Sequence, residues 1–168
     1  HALPEEIIFT GSGTESNNLA LLGTARANKI HGNHILVSAI EHKAILEATQ
    51  QLTKEGFIIE HVPVDAFGMI DINDCIGRVN EKTILISVMY ANNEIGNIID
   101  IETVGQMVHN AGGIFHCDTV QTVGHYPFDL SKGNVDFITG AAHKFNGPKG
   151  IGFIYINKKR RIKQQITG

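Results

Sequence analysis

Thr83-Ile-Leu-Ile-Ser-Val-Met89 is apolar at almost every consecutive position, yet it is only seven residues long. A strand with one wet face alternates apolar and polar residues, so a continuous apolar run this short belongs to a strand covered on both sides. Ile7-Ile8-Phe9-Thr10, His34 to Ser38, Phe57 to Val62, Ile114 to Asp118, Phe137 to Thr139 and Gly152 to Ile156 read the same way. Longer stretches with helical character lie between them. One runs from about Glu15 to Asn28, with Leu19, Leu22 and Arg26 near helical spacing. Others run from Lys43 to Lys54, stopped by Gly56, and from an Asp71 cap to Val79. The last runs from an Asp100 cap to Asn110, ended by Gly112-Gly113. Short strands alternating with helices predict an α/β fold, three layers α/β/α around a mostly parallel sheet of roughly seven strands.

Size and composition narrow the class. With 168 residues, 42% hydrophobic and 18% charged, one domain with a sizeable core is expected. A net charge of −3 gives no reason to expect nucleic acid or an anionic membrane as a partner. Cys75 and Cys117 make no disulfide framework, no apolar run approaches the length of a bilayer span, and no signal peptide is visible. A cytoplasmic location is therefore expected. The chain opens on His1 with a strand almost at once and ends beyond a basic run, Lys158-Lys159-Arg160-Arg161-Ile162-Lys163, so a piece of a longer protein is expected. A solvated helix start or domain connection accounts for that run, and a patch for a phosphate polymer is the other reading.

Ligands of open α/β sheets bind beyond the carboxyl ends of the parallel strands. Five predicted strand ends carry polar groups: Gly11-Ser12-Gly13-Thr14 after the first, Glu41-His42-Lys43 after Ser38, Asn92-Asn93-Glu94 after Met89, Asp118 with Gln121 just beyond, and His143-Lys144 after Thr139. Any one could be a turn or a cap, and it is their coincidence that points to a crevice. Gly13-Thr14 could offer free N–H groups to an anion at a helix start, or form only a capped turn. A dinucleotide fingerprint is disfavoured, because Ser16 stands where its third glycine belongs and the second strand ends in Val37-Ser38 rather than an acid. Asp118 could hold a pyridinium nitrogen or cap the turn that follows. Lys144, in an otherwise apolar and glycine-rich stretch, could add to an aldehyde or be one more solvated lysine. His42 could stack on a flat ring, move protons, or be structural. His31, His34, His61, His109, His116 and His125 show no metal-ligand spacing, and Cys117 reads as an inert core thiol.

Five segments carry a resemblance: Phe9-Thr-Gly-Ser-Gly-Thr-Glu-Ser-Asn-Asn18, Glu41-His-Lys-Ala44, Ala91-Asn-Asn-Glu-Ile-Gly96, His116-Cys-Asp-Thr-Val-Gln121 and Ala142-His-Lys-Phe-Asn-Gly-Pro-Lys-Gly-Ile-Gly152. In this order and spacing the chain resembles the cysteine desulfurases of the class-V aminotransferase group, fold type I enzymes of pyridoxal 5′-phosphate. Asn92-Asn-Glu-Ile-Gly96 is similar to the branch that serves iron–sulfur cluster assembly and tRNA thiolation. The resemblance implies conversion of L-cysteine to L-alanine, with persulfide sulfur passed to a scaffold or tRNA-thiolation protein, in a homodimer. It implies that Lys144 carries the cofactor as a Schiff base and moves protons, and that His42 stacks on the ring and assists. Asp118 would hold the ring nitrogen. Asn93 and Gln121 would reach the phenolic oxygen, and Asn93 the substrate carboxylate as well. Gly13, Thr14 and His143 would hold the phosphate.

Two departures qualify that picture. Ala141-Ala142 stands where the family often has Ser-Gly, so a hydroxyl on the phosphate is missing. The family's nucleophilic cysteine lies on a mobile loop well after the lysine, where neither Cys75 nor Cys117 falls. Residues 1–168 are thus expected to be an incomplete pyridoxal-phosphate-binding large domain, lacking an N-terminal segment and the small C-terminal domain, and inactive alone. Another class-V enzyme, such as a selenocysteine lyase or aminotransferase, and a cofactor-free dimerising domain are the rival readings.

Overall fold

Helix formation follows local chemistry closely. His42 caps Lys43–Lys54 (α2), its Nδ1 accepting from the Ala44 N–H, and Ile45, Ala48, Thr49 and Leu52 are buried at helical spacing. Asp100 caps Ile101–Asn110 (α4) by accepting from Glu102 and Thr103, and Ile101, Val104, Gly105 and Val108 form the buried stripe. Asp71 caps the short Ile72–Gly77 helix (α3), which stops before the expected Val79. The first helix, Gly13–Asn28 (α1), starts two residues earlier than expected. Its middle, from Ala20 to Ala25, is buried throughout. Arg26 is no part of an apolar stripe and instead reaches Glu55 and Gln165.

In this computed structural model, residues 1–127, 129–132 and 134–167 are described. Gly168, the last residue of the expected domain, lies outside them. Among the described residues the strands are Ile7–Thr10 (β1), His34–Ser38 (β2), Ile58–Val62 (β3), Thr83–Ser87 (β4), Phe115–Asp118 (β5), Phe137–Ala141 (β6) and Gly152–Ile156 (β7). They form one seven-stranded sheet in the order β1-β7-β6-β5-β4-β2-β3. The pairs β2/β3, β2/β4, β4/β5 and β5/β6 are parallel, and β7 is antiparallel to both β6 and β1. Because β7 reverses direction twice over, β1 points the same way as β2 to β6. Six strand ends therefore open on the same edge of the sheet, among them the five with polar groups, β1, β2, β4, β5 and β6.

Side chains alternate across the sheet and bury against helices on both sides. Ile35 and Val37 of β2 join Leu21, Ile45 and Leu52 under α1 and α2. Leu36, Ile86, Phe115 and Cys117 join Ile101, Val104 and Val108 under α4, with Cys75 of α3. These are the expected three layers. The expectation that every strand is covered on both faces fails at the edges, where Phe9 of β1 and Ile58 of β3 are exposed. Regular β4 stops at Ser87 rather than Met89, although the Val88 and Tyr90 N–H groups still donate to the His116 and Asp118 carbonyls.

The amino-terminal edge of the sheet is held by a buried carboxylate. Asp136 Oδ2 accepts from the Phe115 N–H and pairs with His109 Nε2 at 2.9 Å, while Oδ1 accepts from Arg160 Nε at 2.6 Å. The basic run after β7 forms no helix: Lys158, Lys159, Arg161 and Lys163 are exposed, while Arg160 and Ile162 are half-buried against the domain. Ile162 seats on Gly23, and the Lys163 N–H donates to the Gly23 carbonyl.

Candidate functional site

The turn between β1 and α1 is a strong local device. Ser12 caps α1 through the Glu15 N–H, and Glu15 turns back to accept from the Gly11 N–H at 2.7 Å. No described residue takes up the N–H groups of Gly13 and Thr14. The capped-turn reading and the anion-cradle reading are therefore compatible here, because the cap leaves two donors at the positive end of a sixteen-residue helix. Gly13 also allows a close approach. A Cβ at that position meets Val120 Cγ2 at 3.0 Å and Ala141 Cβ at 3.2 Å. The helix start thus lies directly against the ends of β5 and β6.

Asp118 ends β5 and is 4% exposed. Its Oδ1 accepts from the Val120 N–H at 2.9 Å, so it does cap the following turn, and Oδ2 accepts from Asn17 Nδ2 at 2.8 Å. No Lys or Arg among the described residues pairs with it. Burial pushes its carboxyl upward, against the pull of the Val120 N–H, the Asn17 amide and His42. A cation arriving over this carboxylate relieves that cost.

Lys144 lies in a short 3-10 turn, Ala142–Phe145, beyond β6. Three bonds fix the loop: Ala142 N–H to the Ile151 carbonyl, Gly147 N–H to the Ala142 carbonyl, and His125 Nε2 to the Lys144 carbonyl at 2.8 Å. Asn146 closes the turn in the left-handed region at φ 66°, which asparagine tolerates better than most residues. The Lys144 side chain itself is exposed to the crevice.

All the predicted site residues meet. Gly13, Thr14, His42, Asn93, Asp118, Gln121, His143 and Lys144 line one crevice of about 260 Å³. Asn17 and Val120 complete it, and the sequence reading missed both. Asn17 stands four residues after Gly13 and so shares its face of α1, a spacing that marks it once the helix start is known. It bridges two strands, accepting from Thr139 Oγ1 while donating to Asp118. Cys117 and Cys75 are buried away from solvent, and burial drives both thiols up, Cys75 to about 11. Among the described residues no group of three or more His, Cys, Asp or Glu side chains is placed to hold a metal ion. Among the described residues no helix is long and apolar enough to cross a membrane.

Residues 1–167 match the sequence profile of the family described as aminotransferase class-V. The chain is 45% identical over 168 residues to the cysteine desulfurase IscS of Clostridium botulinum (strain Kyoto / Type A2), which covers all of this chain and 42% of the relative. Among solved structures, a NifS-like protein superposes with a TM-score of 0.94 at 41% identity, covering 99% of this chain and 46% of its own. A structure described as SspA in complex with cysteine also gives 0.94, at 32% identity over 99% of this chain and 49% of its own. The chain spans less than half the length of each of these relatives.

Proposed function

The chain belongs to the class-V aminotransferase family, and from that premise we propose that residues 1–168 are the cofactor-binding part of a pyridoxal 5′-phosphate-dependent cysteine desulfurase. The observation that carries the reading is the convergence of eight predicted residues from five strand ends on one crevice. The donor set suits the group. Two open N–H groups at a helix start, with the Thr14 hydroxyl and His143, match a phosphate, and a buried carboxylate without a Lys or Arg partner matches a protonated pyridine nitrogen.

Pyridoxal phosphate supplies an electron sink for bonds at the α-carbon of an amino acid. The chain's own residues do the rest. Asp118 would keep the ring nitrogen protonated, with Asn17 holding Asp118 in line. His42, at the start of α2, would stack on the ring, and Asn93 and Gln121 would bond its phenolic oxygen. Lys144 would hold the cofactor through its amine and carry a proton to and from the substrate α-carbon. Asn93 would also meet the substrate carboxylate.

L-cysteine as substrate is supported by the names of the relatives and by a cysteine complex among the similar structures. In the same proposal, sulfur would leave as a persulfide for an iron–sulfur scaffold or tRNA-thiolation protein. A homodimer is supported by a cluster of exposed apolar side chains beside the crevice, Phe67, Met69, Ile95 and Ile98, on two loops joined by the Asn97 amide and the Phe67 carbonyl. Two unpaired, buried cysteines suit the cytoplasm. Equilibrium dialysis against pyridoxal phosphate and, in parallel, a nicotinamide dinucleotide tests the reading. Retention of the first alone is expected, and retention of neither, or of the dinucleotide alone, overturns it.

A further inference from the structure

Glu41, beside His42, is a buried acid with no Lys or Arg partner among the described residues. It is 5% exposed. Its Oε1 accepts from the Met89 N–H at 2.5 Å, and its Oε2 has no hydrogen-bond partner among the described residues. The nearby charge is of the same sign, since Asp118 lies close enough to oppose a second carboxylate. Burial first and Asp118 second push the Glu41 carboxyl well above the usual range. A carboxylate in such a place carries a desolvation cost that the Met89 N–H offsets only in part, and the neutral acid carries a smaller one.

The bond to Met89 does more than satisfy one oxygen. The loop after β2 and the segment after β4 face each other here, and Asn92 Nδ2 donates to the Ile40 carbonyl at 2.8 Å alongside it. The first loop delivers His42 to the crevice and the second delivers Asn93. Asn92 in turn shapes its own loop, its Oδ1 accepting from the Glu94 and Ile95 N–H groups. Two cross-loop bonds, one from Glu41 and one from Asn92, thus set the spacing between two crevice residues that come from different strands.

We propose that Glu41 is a positioning residue of the crevice: through its bond to the Met89 N–H it latches the His42 loop to the Asn93 loop. The latch stands on the hydrogen bonds alone. Its consequence for cofactor binding rests on the pyridoxal-phosphate reading above. A charged Glu41 would set a second, unpaired buried charge against Asp118 and strain the latch, so neutrality is part of the role.

Glu41→Gln keeps the acceptor for Met89 and the neutral state, and Glu41→Ala removes both. Three readings decide. In the chain without cofactor, exchange of the Met89 amide hydrogen should speed up about tenfold or more in Glu41→Ala and stay within about threefold in Glu41→Gln. The infrared difference between the wild type and Glu41→Gln near neutral pH should contain the carbonyl stretch of a protonated carboxylic acid. Affinity for pyridoxal phosphate should fall about tenfold in Glu41→Ala and be restored in Glu41→Gln. Unchanged Met89 exchange in Glu41→Ala, or no protonated-acid band, overturns the proposal. If Glu41→Ala fails to fold, the band and the Glu41→Gln exchange still decide it. A wild-type chain that takes up no pyridoxal phosphate counts against the cofactor reading, while the first two measurements go on testing Glu41.

Discussion

Asn17 of α1 donates to Asp118 of β5 across 101 positions of sequence, Nδ2 to Oδ2 at 2.8 Å, with both side chains buried. Its other end accepts from Thr139 in the middle of β6. One amide therefore joins the helix that would face the phosphate to the carboxylate that would face the ring. Replacing Asn17 with Ala leaves Asp118 Oδ2 and the Thr139 hydroxyl without that partner. We expect a loss of about 1–3 kcal/mol in folding stability, read from urea unfolding. Cofactor affinity should fall as well, because Asp118 is then free to turn away. Unchanged stability and affinity would show that the bridge is incidental.

His116 gives a prediction in pH. It is fully buried on β5, its Nδ1 bonded to Ser87 Oγ at 2.8 Å and its Nε2 without a hydrogen-bond partner among the described residues. Burial drives its pKa down to about 3 from an ordinary 6.5. The unfolded chain then binds a proton that the native chain refuses. Stability from this group is complete above pH 6.5 and is lost as pH falls towards about 3, at up to about 1.4 kcal/mol per pH unit. Glu41 and Asp118, shifted up, act in the opposite sense, so the comparison must be with His116→Gln. Denaturant midpoints should fall more steeply between pH 6.5 and 4.5 in the wild type than in the variant. Parallel curves would contradict the account.

The thiols are predicted to be inert. Cys75 is held near a pKa of 11 by burial and then by Asp74, and Cys117 is driven up above all by burial. Neither can serve as the sulfur acceptor of a desulfurase from where it stands. Iodoacetamide should modify both slowly in the native chain at pH 8 and readily in denaturant. Sulfide and alanine should not be released from L-cysteine by this chain alone, and their appearance would overturn the prediction.

How much of this was legible in the sequence depends on whether the cause is local. Caps such as Asp71, Asp100 and Ser12 act within three residues, and the Lys43–Lys54 helix shows its buried positions as a plain periodicity. The polar groups at strand ends were legible for the same reason. What the pattern does not carry is pairing between distant segments. Nothing local says that Gly152–Ile156 inserts between β1 and β6 and runs against both. Exposure of Phe9 and Ile58 follows from β1 and β3 being edges, a fact of strand order rather than of composition. Asn17 and Glu41 were passed over because each acts through a partner on another element, Asp118 and Met89. The basic run offered only its charge, while its position depends on Asp136 and Gly23.

The central claim is that the crevice holds pyridoxal phosphate on Lys144. The most direct measurement is to incubate the chain with pyridoxal phosphate, reduce with borohydride, digest, and locate the added mass by tandem mass spectrometry. The account predicts modification of the peptide containing Lys144, on that residue, and its loss in Lys144→Ala. Labelling spread over surface lysines such as Lys158 and Lys159, undiminished in Lys144→Ala, would contradict it.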